Sequence, residues 1–215
     1  MKNRVLCVVL VLTMAMLCMG CSKESDANVD QPVVNDIQDN IQETEGSTEE
    51  EDSIGRKKIT DPEMIAAVTE LIKAEKEFKY ELDCVWPENE KQYKINGNIY
   101  RIVDKEVATS WSTYEEKAKN YYTDEYVENE FTPFYTELTK TFVEKKGRLY
   151  RAESDGIVNP LVEGSVEIFE STDGRYYVSF FEDAAGDEWE SACLIRAAED
   201  KPYGYVIVEK IGTIK

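Results

Sequence analysis

Apolar residues recur at helical spacing just after residue 61. Asp61, Pro62 and Glu63 form a helix start, with a capping residue, a proline at the first position and an early acid. The apolar positions that follow three and four residues apart are Met64, Ala67, Val68, Leu71, Ile72 and Ala74. The polar positions between them, which we expect to face water, are Lys73, Glu75, Lys76 and Glu77. The pattern predicts a helix that ends between Tyr80 and Cys84.

Two more helices are predicted in an aromatic-rich stretch. Ser112 with Glu115 three residues later resembles a capping box, and Thr123 before two acids is a typical cap for the next helix. Pro133 should bend or restart that second helix, because proline cannot continue an interior helical hydrogen bond. The apolar and aromatic positions of the two helices are Tyr114, Ala118, Tyr121, Tyr122, Tyr126, Val127, Phe131, Phe134, Tyr135 and Leu138.

The remaining apolar pattern alternates with a period of two, which indicates strands. Turn signals separate the strands of each predicted hairpin, at Asn96-Gly97, Lys146-Gly147, Asp173-Gly174 and Asp200-Lys201-Pro202. The last two hairpins follow each other along the chain, as in a meander. Helices first and strands later predict an α+β fold, with N-terminal helices packed on a curved antiparallel β-sheet.

The N-terminus has the pattern of a bacterial lipoprotein signal. A short basic start precedes the uncharged run 5–19, which at about 15 residues is short for a membrane span of roughly 20. Gly20 then precedes Cys21, the arrangement that lipoprotein signal peptidase cleaves, although Cys18 stands where an aliphatic residue is usual. We predict a signal peptide over 1–20 and a lipid anchor on Cys21, on the extracytoplasmic face of the cell membrane.

An acidic segment separates the anchor from the folded part. Residues 22–55 contain eleven acids and one base, and no aromatic residue. Such a segment cannot bury enough apolar surface to offset its ordering entropy, so 21–60 is predicted to be a disordered acidic tether. Residues 61–215 hold every Trp, Tyr and Phe and are predicted to form one domain, which we expect to be monomeric.

Charge and composition limit the possible functions. The total charge is −19, of which residues 59–215 carry −14. Nucleic acid is therefore excluded as a partner, since its binding needs a basic surface, and a basic protein is favoured. Histidine is absent, which removes Ser-His and Cys-His nucleophile pairs and His-ligated metals. No catalytic, nucleotide-binding or zinc motif is present, so the sequence predicts neither an enzyme nor a cofactor. A carboxylate-based enzyme stays an alternative, which would need two convergent acids in a cleft, one of them partly buried.

Cys84 and Cys193 are the two cysteines of the predicted domain. An even pair in an exported domain favours a disulfide, and the long loop that it would close could stabilise the fold by about 4–5 kcal/mol. Two buried, unpaired thiols are the alternative.

The candidate partner-binding residues are acidic or aromatic. Asp183, Asp187 and Glu188 belong to one predicted hairpin tip beside Trp189. Oxygen ligands of this kind suit Ca²⁺, but their spacing matches no defined calcium loop, and no metal is predicted. The two tyrosines proposed for the same role are Tyr122 and Tyr150, because a tyrosine hydroxyl suits a half-exposed position.

The order of several short motifs resembles a known family. These are the capped helix from Ser112, the pair Tyr121-Tyr122 followed by Thr123-Asp124-Glu125-Tyr126-Val127, and the hairpin Lys145-Lys146-Gly147-Arg148-Leu149-Tyr150. In this order they resemble the IseA-like inhibitors of D,L-endopeptidases from Gram-positive bacteria, over about 93–215. The resemblance implies a protein that docks on the papain-like catalytic domain of a peptidoglycan hydrolase and blocks it.

A second resemblance leads to a different function. Lipoproteins with NTF2-like or cystatin-like folds also lay helices on a curved sheet, and such a domain would bind a small molecule or peptide without catalysis. Those folds carry many functions, so this resemblance implies no particular activity. Full packing of Tyr121, Tyr126 and Phe134, with no cavity, would count against this alternative.

Overall fold

A computed structural model of the chain describes residues 54–85, 87, 90–153 and 156–214. The predicted signal peptide, Cys21 and the tether as far as residue 53 lie outside the described residues. Among the residues that are described, no helix is both long enough and apolar enough to span a membrane.

The first helix, α1 (Pro62–Asp83), begins and ends as predicted. The Asp61 carboxylate accepts a hydrogen bond from the Glu63 amide at 3.0 Å, and the Cys84 amide donates to the Tyr80 carbonyl. One face of α1 is buried against the sheet, through Met64, Val68, Leu71, Ile72, Glu75, Phe78 and Leu82. Glu75 therefore lies in the apolar face, and the prediction that it faces water is wrong.

A five-stranded antiparallel sheet contains the C-terminal half of the domain. Its strands are β1 (Lys58–Ile59), β6 (Glu167–Glu170), β7 (Arg175–Ala184), β8 (Asp187–Ala197) and β9 (Tyr205–Ile214), in the order β1-β6-β7-β8-β9. The meander predicted from the last hairpins is confirmed in β6 to β9. Because β1 lies within the predicted tether, the domain begins earlier than residue 61.

A second, four-stranded sheet is built from two hairpins. Its strands are β2 (Gln92–Ile95), β3 (Asn98–Ile102), β4 (Phe142–Lys145) and β5 (Arg148–Ala152), in the order β2-β3-β5-β4. Asn96 and Gly97 both have positive φ, at 51° and 94°, as a two-residue turn between twisted strands requires. The α+β fold is confirmed, and its strands form two sheets where the sequence predicted one.

The middle of the chain forms short helices. Helix α2 (Trp111–Ala118) begins before the predicted cap Ser112, because the Glu144 carboxylate on β4 accepts a hydrogen bond from the Trp111 amide at 2.5 Å. Thr123 caps α3 (Asp124–Tyr126) as predicted, accepting from the Tyr126 amide at 3.2 Å.

Two π-helical segments, Val127–Phe131 and Phe134–Leu138, continue from α3 on either side of Pro133. They provide much of an aromatic core. The Trp111 ring lies 5.7 Å from that of Phe131 and 5.2 Å from that of Phe142. Buried residues of both sheets belong to the same core, so the aromatic helical region joins the two sheets.

Cys84 and Cys193 are both free thiols, so the possible disulfide is not formed and the alternative of unpaired thiols holds. Cys193 is fully buried in the centre of β8, whereas Cys84 caps α1 and its thiol donates to the Gly156 carbonyl at 3.1 Å. Burial raises the pKa of the Cys193 thiol to about 12. This thiol therefore stays protonated and acts as a small core residue.

Candidate functional site

A cleft of about 340 Å³ opens between the π-helical segments, α1 and the strands β7 to β9. Its aromatic lining is Tyr122, Tyr126, Phe131, Phe134, Tyr135 and Phe180. The other lining residues are Lys79, Glu130, Glu182, Ser191, Ala192, Lys210 and Gly212. A concave, mostly apolar surface with few charged groups is the usual form of a ligand site.

A buried charged group lies under this cleft. Glu75 is 1% exposed and accepts a short hydrogen bond from the Tyr122 hydroxyl. The same carboxylate oxygen is 3.0 Å from the ammonium of Lys210, whose side chain is 26% exposed. A buried carboxylate needs such partners, because an unpaired charge in the interior is costly.

The electrostatics of this group favour an ionised pair. Burial by itself would raise the pKa of Glu75, but Lys210, with Lys79 and the Tyr122 hydroxyl, lowers that pKa below its usual value. Burial opposes the charge of Lys210 in the same way, yet the Glu75 carboxylate raises the pKa of Lys210 above its usual value. Burial and the adjacent carboxylate both raise the pKa of Tyr122, so its hydroxyl remains a donor.

Irregularities in β9 place Lys210 in the cleft. Ile207 and Lys210 are three residues apart, so a regular strand would direct them to opposite faces. The pairing of β9 with β8 shifts register between Ala192 and Cys193 and again between Leu194 and Ile195. Such bulges redirect side chains, and here Ile207 lies in the core while Lys210 reaches Glu75 on α1.

A second ion pair forms the edge of the cleft. The ammonium of Lys76 is 2.6 Å from the Glu182 carboxylate and also donates to the Asn159 carbonyl at 2.9 Å. The two side chains are only 11% and 17% exposed, so water screens this pair weakly. The charge of Glu182 is thereby neutralised within the protein.

At the far end of the cleft, the Tyr135 hydroxyl donates to the Asp83 carboxylate at 3.0 Å. Partial burial raises the pKa of Asp83, although the Tyr135 hydroxyl and Lys79 oppose that shift. Burial and the Asp83 charge raise the pKa of Tyr135 well above its usual value, so the tyrosine remains the donor.

The predicted partner-binding residues do not form one site. Asp183, Asp187 and Glu188 lie together at the exposed tip of the β7–β8 hairpin. Tyr122 is 2% exposed, so the prediction that it faces a partner is wrong: its hydroxyl satisfies the Glu75 carboxylate. Tyr150 is half-buried in the other sheet, where its ring meets that of Tyr93 edge-on at 5.4 Å.

The cleft residues Glu75, Lys79 and Lys210 were missed as site residues. One signal was available for Glu75, which follows Leu71 by four residues and Ile72 by three and so continues the apolar stripe of α1. For Lys210 there was none, because a bulge cannot be identified from the residues of one strand.

In the part of the chain that the structure describes, no group of three or more Cys, Asp or Glu side chains is arranged to hold a metal ion. Neither the cleft acids nor those of the hairpin tip converge in that way. The cleft presents ammonium groups, carboxylates, hydroxyls and aromatic faces, which are the kinds of group that can orient a bound molecule.

Comparison of the chain with known protein families and with curated proteins found no match in either set. The resemblance to IseA-like inhibitors therefore stays a prediction from the order of motifs. Function has to be inferred from the cleft, the hairpin tip and the charges described above.

Proposed function

We propose that the chain is a lipid-anchored extracytoplasmic binding module that inhibits peptidoglycan D,L-endopeptidases. The observation that carries the proposal is the β7–β8 hairpin tip, where Asp183, Asp187 and Glu188 are all exposed and the next residue of β8, Trp189, is 41% exposed. Tryptophan is enriched among the residues that contribute most to protein–protein binding. Asp183 and Glu188 face one side of the hairpin, and Asp187 and Trp189 face the other, so the tip would offer acidic side chains on both sides to a basic partner.

The tip is held in one conformation by the strands that carry it. The two strands pair over ten positions, from Arg175 with Arg196 to Ala184 with Asp187. In the turn, Asp183 accepts a hydrogen bond from the Gly186 amide at 2.7 Å. Just below the tip, the Glu182–Lys76 ion pair ties β7 to α1. A rigid hairpin loses little conformational entropy on binding, which favours affinity.

Charge supports a basic partner. Residues 59–215 carry −14, and acidic side chains at the tip would meet a basic catalytic domain with favourable long-range attraction. A lipid anchor on Cys21 would confine both proteins to one envelope and raise their effective concentration. Moderate affinity would then be sufficient for inhibition.

The test uses the full chain in lipid nanodiscs and a D,L-endopeptidase with a papain-like catalytic domain. We expect the chain to slow the release of peptides from purified peptidoglycan, with inhibition that weakens as salt is raised. The triple variant D183N/D187N/E188Q should weaken inhibition about tenfold or more, mainly through slower association.

The matched control removes three acids at the opposite end of the same sheet. The variant E170Q/E199Q/D200N changes the net charge equally, and its residues are all exposed near the β6–β7 and β8–β9 turns. This control should inhibit nearly as well as the unchanged chain. Equal loss in both variants, or no inhibition by the unchanged chain at any salt concentration, would overturn the proposal.

A further inference from the structure

We infer that the cleft between the π-helical segments and β7 to β9 binds a small monocarboxylate with an apolar body, whose carboxylate pairs with Lys79. This site is separate from the hairpin tip and does not rest on the inhibitory role. The ligand class follows from the charges, the shape and the aromatic lining of the cleft.

The Lys79 ammonium is a positive charge in the cleft that no direct contact holds among the described residues, although it acts at longer range on Glu75 and Asp83. On α1, Glu75, Lys79 and Asp83 are four residues apart and so lie on one face. Glu75 is engaged by Tyr122 and Lys210, and Asp83 accepts from Tyr135. Lys79 is half-buried, and none of the ion pairs or side-chain hydrogen bonds among the described residues involves it.

Two acids line the cleft, and neither forms an ion pair with this ammonium. Glu182 is neutralised by Lys76 at 2.6 Å, whereas Glu130 is exposed to water at the mouth. Lys210 adds a second ammonium that faces the cleft, although Glu75 balances its charge. One anionic group can therefore be accommodated beside Lys79 in a partly dehydrated site, where a charge-assisted hydrogen bond is strong.

The strongly acidic domain limits the charge of the ligand. With −14 on residues 59–215, a polyanion would be repelled before it reached the cleft. A monoanion is repelled much less, and its attraction to the Lys79 ammonium offsets that repulsion. A single carboxylate is therefore favoured over a phosphate or a wall polymer.

The walls of the cleft suit an apolar body. Phe134 is 46% exposed although it lies against Tyr135, with their rings edge-on at 5.0 Å, and Tyr126 and Phe180 form other walls. The volume of about 340 Å³ equals that of about eleven waters, so a ligand of about ten to fifteen non-hydrogen atoms fits. Such a ligand would cover an aromatic surface that is otherwise exposed to water.

Both sides of the cleft have irregular backbones. One wall consists of two π-helical segments, a rare conformation that is frequent at functional sites. On the opposite side, the two register shifts of β9 flank Lys210. Bulges are also over-represented beside binding sites.

The experiment measures binding of two probes to the full chain in lipid nanodiscs, with empty nanodiscs as the blank. The probes are N-acetylphenylalanine and its primary amide, which share an apolar body and differ in the carboxylate. By isothermal titration, we expect the acid to bind at least tenfold more tightly than the amide. The variant K79Q should abolish this preference and leave the affinity for the amide unchanged.

Three further variants complete the design. K79R should retain the preference, since it retains the charge, and K73Q, on the exposed side of the same helix, should change neither affinity. F134A should lower the affinity for both probes equally, because it removes part of the apolar wall that both contact. Equal affinity for acid and amide, a loss in K79Q that affects both probes alike, or no binding of either probe at millimolar concentration would overturn the inference. None of these outcomes depends on whether the chain inhibits an endopeptidase.

Discussion

Replacing Lys210 with methionine tests the buried ion pair directly. The variant leaves the Glu75 carboxylate, 1% exposed, without the ammonium that lies 3.0 Å away. At an effective dielectric constant of about 20, that pair has a Coulomb energy of roughly 5.5 kcal/mol before the cost of desolvation. Removing one partner of a buried pair leaves that cost uncompensated, and Lys79 and the Tyr122 hydroxyl offset only part of it. We expect K210M to lower the free energy of unfolding by about 2–4 kcal/mol at pH 7.

The two single variants should not be equivalent. In E75Q, the amide can still accept from Tyr122, and the partly exposed Lys210 can reach water, so the expected loss is smaller, about 1–2 kcal/mol. The double variant E75Q/K210M should lose less free energy of unfolding than the two single variants lose together. The reason is that K210M destabilises the fold by leaving the charge of Glu75 unpaired, and E75Q removes that charge.

The pH dependence has a defined sign. The folded pKa of Glu75 is lowered, so its stabilising contribution is present above the unfolded pKa, near 4.5, and is lost as the pH falls through the folded pKa. Lys210 has a raised folded pKa, and its contribution is lost only as the pH rises above 10.5 through the folded value. Without Lys210, the pKa of Glu75 should rise, so Glu75 becomes protonated more readily as the pH falls. The loss of unfolding free energy caused by K210M should therefore be smaller at pH 5 than at pH 7.

The assay is urea unfolding of the full chain in detergent, followed by tryptophan fluorescence, since all three tryptophans lie in residues 61–215. K73Q, which removes an exposed lysine of the same helix, is the control and should change stability by less than about 0.5 kcal/mol. If K210M costs less than about 1 kcal/mol, or costs the same at pH 5 as at pH 7, the pair does not stabilise the fold as described.

Two further predictions concern the cysteines. With iodoacetamide at pH 8, the half-exposed Cys84 should be alkylated, whereas Cys193 should stay unmodified because burial raises its pKa to about 12. Peptide mass mapping measures the extent of alkylation at each cysteine. Equal alkylation of the two cysteines in the native protein would contradict the buried position of Cys193. C21S should abolish metabolic labelling of the chain with palmitate, whereas C84S should retain it; label persisting in C21S would show that the lipid is attached elsewhere.

Local signals in the sequence predicted local structure well. The start of α1 depends on Asp61 and Pro62, and the first hairpin turn depends on Asn96 and Gly97. In each case the deciding interactions lie within a few residues, so a short window of sequence contains them. The α+β class follows from the same local patterns.

Features that depend on distant residues could not be predicted in this way. The start of α2 depends on Glu144 from β4, which moved the cap from Ser112 to Ser110. The division into two sheets depends on the pairing of β3 with β5, which are separated in the chain by the helical region. Strand β1 forms in a basic stretch that has no strand pattern of its own, because β6 provides its partner.

The cleft shows why charge is the least predictable part of the site. An acid in an amphipathic helix faces water unless distant partners satisfy it, and Glu75 finds two, Tyr122 and Lys210, on different elements. Tyr122 was assigned to the surface for the corresponding reason, since a tyrosine hydroxyl is usually placed where water can reach it. Both errors concern one buried hydrogen bond, in which the Tyr122 hydroxyl is the donor and the Glu75 carboxylate is the acceptor.

The cleft and the hairpin tip are neighbours with separable chemistry. Glu182 lines the cleft and lies one residue before the tip residue Asp183 on β7, directly across from Trp189 on β8. The tip carboxylates do not line the cleft, and Lys79 is on α1. Substitutions at the tip should therefore change protein binding and leave the selectivity for a carboxylate intact, whereas K79Q should do the reverse. A substitution at Glu182 should affect both, because it releases Lys76 from its only ion pair among the described residues and so changes the cleft wall and the base of the hairpin together.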